Sequence, residues 1–362
     1  MHNTNLTMAR ILLSILLMHL SGTLIMCHAA DPPKFPAILV FGDSTVDSGN
    51  NNYITTVLKS NHYPYGVEFI NGTATGRFSD GRLVPDMLAS SLGIKQQVPP
   101  FLDPSLSDNE IVTGVCFASA GSGLDDLTTK VSGVIPVSRQ LEMFRQYISR
   151  LKGIVGEQEA SKIINNGLIL MSVGTNDFLF NFYDIPTRRS VFNYSISGYQ
   201  DFLLQSLQGM IKEIHQLGGR KFGIAGLAPI GCIPLQISAK FKGQSNRSCV
   251  DDQNSDAVVY NSKLQKVLPE IQASLPGSKL AYINLHDPAV DMFNNPQKYG
   301  FVEIMKGCCG TGLIEMGPLC NKWTSQCKDR SKYLFWDAVH PSEAAYRPIA
   351  KIILDTVIPQ LY

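Results

Sequence analysis

Five short apolar runs, spaced along the chain with helix-period segments between them, constrain the fold more than any other feature. They are Ala37–Phe41, Val115–Ala118, Leu168–Val173, Lys221–Ala225 and Leu280–Ile283. Each is too short for a helix of ordinary length and too continuously apolar for a strand with one wet face. Between them, Leu203, Leu207, Met210, Ile211, Ile214 and Leu217 recur at steps of three and four, which predicts a helix over 197–217 closed by Gly218-Gly219. A second helix is expected near 257–275, with Leu264, Val267, Leu268 and Ile271 on one face, and a third after Ser342. Buried strands alternating with helices imply an α/β fold: a parallel sheet covered on both faces. In such sheets ligands bind beyond the carboxyl ends of the strands.

Ser44 falls at one of those ends, in Phe41-Gly42-Asp43-Ser44 directly after the first run. A lone serine is more often a helix cap or a turn residue. Here Gly42 permits a tight exit from the strand, and the turn can aim a hydroxyl and an N–H at one point. Near the C-terminus, Asp337-Ala338-Val339-His340-Pro341 supplies an imidazole with a carboxylate three residues before it. Nucleophilic acyl transfer needs a hydroxyl, a base and a group to orient the base, and these two segments hold all three. The Gly-x-Ser-x-Gly elbow is absent, because Ala120 stands where Gly121-Ser122-Gly123 would need a glycine. Asn176, in Gly174-Thr175-Asn176-Asp177, follows the third run and can donate to an oxyanion; Asp177 reads as a brace for its loop. Gly121, taken by spacing alone, is a loop glycine. Asp337 and His340 as metal ligands lack a third partner in the sequence.

Arg10, the apolar stretch Ile11–Met26 and Cys27-His28-Ala29 have the form of a secretory signal over residues 1–29. The stretch is shorter than the ~20 residues of a membrane span. Cleavage leaves residues 30–362 as one domain with balanced charge and no basic stripe, which excludes nucleic acid and polybasic membrane binding. Secretion makes disulfides expected. Cys308 and Cys309 are adjacent and should each take one of Cys320 and Cys327, Cys232 should pair with Cys249, and Cys116 is left as a buried thiol. Asn71, Asn193 and Asn246 begin glycosylation sequons.

Four ordered blocks resemble the GDSL esterase/lipase family of the SGNH hydrolase superfamily, above all its secreted plant branch. They are Phe41 to Asn51, Gly114 to Gly123, Gly174 to Asp177 and Trp336 to Pro341. The resemblance spans nearly all of 30–362. It implies a flavodoxin-like three-layer α/β/α sandwich around a mainly parallel five-stranded sheet. It also implies Ser44 as nucleophile, His340 as base, Asp337 as its orienter, and an oxyanion hole of the Ser44 N–H, the Gly121 N–H and the Asn176 amide. Thr45 stands where the family name has Leu, and Cys116 where the second block often has Asn.

The expected enzyme is a secreted monomeric esterase or lipase that needs no cofactor and acts on a small-molecule or lipid ester through an acyl-Ser44. An acyltransferase on the same site and a non-catalytic secreted binding protein are the alternatives.

Overall fold

The structure is a computed structural model that describes residues 34–183, 189, 194–242 and 246–362. The segment 1–29 and Asn193 lie outside the described residues. Four strands, β1 (Ile38–Gly42), β2 (Leu168–Ser172), β3 (Lys221–Ala225) and β4 (Lys279–Ile283), form a parallel sheet in that order. Residues of β1 alternate between the two faces. Leu39 and Phe41 pack with helices Val137–Val155, Ile196–Gln216 and Asp251–Ser274. Ile38 and Val40 pack on the other side with helices Val84–Ser91 and Glu343–Ile352. The result is the α/β/α sandwich expected from the apolar runs.

The run Val115–Ala118 also joins this sheet, but not as a regular strand. Phe117 N–H donates to Val40 O at 2.7 Å, Ser119 N–H to Gly42 O at 3.0 Å, and Val40 N–H to Val115 O at 3.1 Å. On the far side its neighbours are Pro99 and Phe101. Pro99 and Pro100 carry no N–H, so no ladder can continue outward. The sheet is thus four strands and one bridged segment, in the order (115–118)-β1-β2-β3-β4. The order reverses at β1, where doubly wound sheets open a crevice.

Helix Ile196–Gln216 begins at Ser195, whose hydroxyl accepts the Gly198 N–H at 3.2 Å. Helix Asp251–Ser274 starts six residues earlier than the apolar pattern implies. Asp251 and Asp252 fill its first turn, where negative charge is favoured but no apolar period shows. A small parallel pair, β5 (Glu303–Gly307) and β6 (Tyr333–Phe335), was not expected. Disulfides Cys308–Cys327 and Cys309–Cys320 fasten the loop between these two strands, and Cys232–Cys249 closes a separate one. Cys116 is buried and free; burial pushes its thiol up to about 12, so it is inert.

Gly42 ends β1 at φ +142°, and a Cβ built there would lie 1.9 Å from Ser172 O. No neighbouring side chain can yield, because the clash is with backbone. Gly42→Ala should therefore cost about 3 kcal/mol or more of stability, read as a shift of the denaturant midpoint; an unchanged midpoint would contradict the close approach of β1 and β2.

Candidate active site

Residues 43–51 leave β1 as a polar turn whose side chains pair with backbone. Asp43 Oδ1 accepts the Thr45 N–H at 3.0 Å and its hydroxyl at 2.8 Å. Asp47 Oδ1 accepts the N–H groups of Gly49 and Asn50, each at 2.8 Å, while Oδ2 accepts Ala120 N–H at 3.0 Å. The Asn50 amide donates to Cys116 O and Ala118 O, and that of Asn51 to Leu58 O and Ala120 O. The turn carrying Ser44 is in this way tied to the loop carrying Gly121. Gln140 closes the same region: its amide oxygen accepts Gly42 N–H at 3.0 Å, and its nitrogen donates to Gly42 O at 2.8 Å.

β6 runs directly into Trp336 and a tight turn. Asp337 Oδ1 accepts the N–H groups of Val339 at 2.8 Å and His340 at 2.7 Å. The same carboxylate holds His340 Nδ1, with Oδ1 at 2.9 Å and Oδ2 at 2.8 Å. The other ring nitrogen, Nε2, lies 2.8 Å from Ser44 Oγ. All three residues are buried. With the proton on Nδ1 facing Asp337, Nε2 is left as the acceptor for the serine hydroxyl. Phe78 packs against the imidazole, ring centroids 4.9 Å apart.

Asn176 donates one amide N–H to Ser122 O at 2.9 Å and lines the same cavity as Ser44. Gly121 sits at φ +86° in the adjoining turn and does not line that cavity. Among the described residues, neither the Ser44 N–H nor the Gly121 N–H donates to a protein acceptor. A buried backbone N–H without a partner is uncommon. Asp177 braces its loop as expected: its carboxylate accepts the N–H groups of Leu124 and Asp125 and the Thr128 hydroxyl.

One contributor has no signal in the sequence, and the two departures from the family pattern take structural contacts. Tyr65, fully buried, donates its hydroxyl to Asp337 Oδ2 at 2.7 Å and accepts Gly317 N–H at 2.7 Å. Cys116, standing where Asn is frequent, donates its thiol to Val46 O at 3.2 Å and does not line the cavity. Thr45 lies 3.0 Å by its hydroxyl from Ser172 Oγ. Among the described residues, no three His, Cys, Asp or Glu side chains gather as a metal site.

The GDSL-like lipase/acylhydrolase model matches residues 38–353. A GDSL esterase/lipase of Arabidopsis thaliana is 53% identical over 334 residues, covering 91% of this chain and 93% of the relative. Another from the same plant is 54% identical over 327 residues, 90% of each, and a third 51% identical over 323 residues, 89% of each. The class is that of carboxylic ester hydrolases. The chain belongs to the GDSL-like lipase/acylhydrolase family.

Burial raises the carboxyls of Asp43 and Asp47 to about 6 and that of Asp177 to about 7, against the hydrogen bonds that each accepts. A carboxyl whose folded pKa exceeds its unfolded value binds protons more tightly in the native state. Its contribution to stability is then greatest at low pH and declines as pH rises from ~4 through the folded value. Asp177→Asn should flatten the fall in unfolding free energy between about pH 4 and 7, measured by denaturant titration across that range. A slope that steepens or stays the same would contradict the buried-carboxylate account.

Proposed function

We propose that the chain is a secreted serine esterase with Ser44 as nucleophile, His340 as base and Asp337 as its orienter. The continuous hydrogen-bond chain Ser44 Oγ–His340–Asp337 carries this reading. His340 Nε2 takes the Ser44 proton as Oγ attacks the ester carbonyl carbon. The carbonyl oxygen becomes an oxyanion held by the Ser44 N–H, the Gly121 N–H and the Asn176 amide. The C–O bond to the alcohol breaks, and the proton on His340 passes to the departing alkoxide. A water that gives its proton to His340 then attacks the acyl carbon, the bond from that carbon to Ser44 Oγ breaks, His340 returns the proton to Oγ, and the acid leaves. The unpaired N–H groups of Ser44 and Gly121 support the oxyanion role.

Three disulfides and the signal-like N-terminus support secretion, with residues 34–362 within the mature domain. No helix among the described residues is long and apolar enough to cross a membrane. Asn71 and Asn246 are exposed, as glycosylation requires. The substrate is a small-molecule or lipid ester taken by a monomer.

Ser44→Ala should lower kcat on p-nitrophenyl esters by at least ~10³-fold, and Asn176→Ala by ~10²–10³-fold, with the fold intact by circular dichroism. Retained activity in a folded Ser44→Ala protein would sink the assignment. Tyr65 acts on the site through Asp337, as a positioning residue. Tyr65→Phe removes one hydrogen bond to a charged acceptor, so kcat should fall about tenfold with little change in KM. The rising limb of the pH–rate profile should also move upward, because an Asp337 carboxylate without this donor favours the protonated imidazole more. A drop in thermal stability with an unmoved pH limb would make Tyr65 a packing residue only.

A further inference from the structure

The cavity at Ser44 continues past the reacting centre into the core. Ser44, Thr45 and Asn176 line its polar part. Beyond them it enters the layer between the sheet and helices Val84–Ser91 and Glu343–Ile352. Leu170, Ala225 and Ile283 from β2, β3 and β4 line its sheet side. Leu88, Ile349 and Ile353 line its helix side. Asp43, beside the serine, and Tyr346 are the only ionisable groups among the described residues of its wall, and the Tyr346 hydroxyl has no hydrogen-bond partner. The cavity, open to solvent on one side, has a volume of about 150 Å³.

Protein interiors are close-packed, and a void of this size forfeits dispersion contacts along its whole lining. Leu, Ile and Ala walls offer water almost nothing, so an aliphatic guest is the occupant that recovers those contacts. Its orientation follows from the chemistry. The leaving alcohol must depart from the side of His340, which protonates it, and His340 does not line this cavity. Asn176, proposed to bind the carbonyl oxygen, does. The part of the ester that enters is therefore the part that stays on Ser44.

We propose that this cavity is an acyl-chain site and makes the enzyme selective for unbranched aliphatic acyl groups of about four to eight carbons. The length follows from volume: an apolar cavity of about 150 Å³ accommodates a guest the size of benzene, about six carbons. This rests on Ser44 being the nucleophile. The sheet residues set the depth: Ala225 leaves room at the centre, and Ile349 narrows the space from the C-terminal helix.

The test is kcat/KM on p-nitrophenyl esters from acetate to palmitate, for the wild type, Ala225→Leu, Ile349→Ala and Ser44→Ala. Each methylene buried in the cavity should raise the wild-type value by up to about fourfold. The maximum should fall near hexanoate or octanoate, with a drop of at least about tenfold by dodecanoate. The octanoate-to-acetate ratio, which cancels differences in the folded fraction, should fall about tenfold in Ala225→Leu. In Ile349→Ala the optimum should move about two carbons longer. A flat wild-type profile, a maximum at acetate, or two variants whose profiles match the wild type while Ser44→Ala is dead would overturn the acyl site and leave the nucleophile standing. Activity that survives in folded Ser44→Ala would instead remove the nucleophile, and the acyl site with it. If neither variant folds, the wild-type profile decides alone.

Discussion

One carboxylate, that of Asp337, holds the site in shape. It accepts two backbone N–H groups of its own turn, the imidazole N–H of His340 and the hydroxyl of Tyr65. A buried charge is tolerable only when its lone pairs are filled, and here four donors fill them. The backbone contacts fix the turn, and the turn fixes the distance from carboxylate to ring. The ring then has one nitrogen left, and it meets Ser44. β6 and the two disulfides after β5 hold the chain that enters this turn. The Ala338 N–H is tied to Glu315 O in the loop that those disulfides close.

The opposite half of the site is built differently. Ser44 sits on a turn whose acidic and amide side chains replace secondary structure. Asp43, Asp47, Asn50 and Asn51 pair with backbone groups, and Gln140 pairs with both polar groups of the Gly42 peptide. Such a turn is rigid only while these groups stay dry and paired. The burial that strengthens the hydrogen bonds also raises the carboxyls of Asp43 and Asp47 to about 6. Stability at neutral pH is traded for a dry, fully paired turn that holds the Ser44 hydroxyl against His340.

Sequence made much of this legible, for reasons of covalent proximity. Ser44 follows β1 within two residues, and Asp337 and His340 share one turn, so local spacing encodes the three positions. The strand–helix alternation encodes the sandwich, since a parallel sheet buried on both faces leaves no polar period. Distant contacts had no such trace. Tyr65 is 272 residues from Asp337, and Gln140 is 98 from Gly42. Each reads as an ordinary loop or helix residue. The cavity is invisible for the same reason: its walls come from separate strands and helices, and every one of them looks like core. The apolar run Val115–Ala118 has the pattern of a strand, and Pro99-Pro100 outside it explain why it is only bridged. The adjacency of Cys308 and Cys309 left two pairings open, and the structure has the nested one, Cys308–Cys327 around Cys309–Cys320.

Covalent trapping tests the central claim most directly, because it reports the nucleophile itself and not an activity that several groups influence. The purified protein would be treated with a fluorophosphonate, digested and mapped by mass spectrometry, beside His340→Ala. The account predicts a single adduct on Ser44 that forms at least ~10³-fold more slowly without His340. An adduct on another residue, or labelling of Ser44 at an equal rate in His340→Ala, would contradict it.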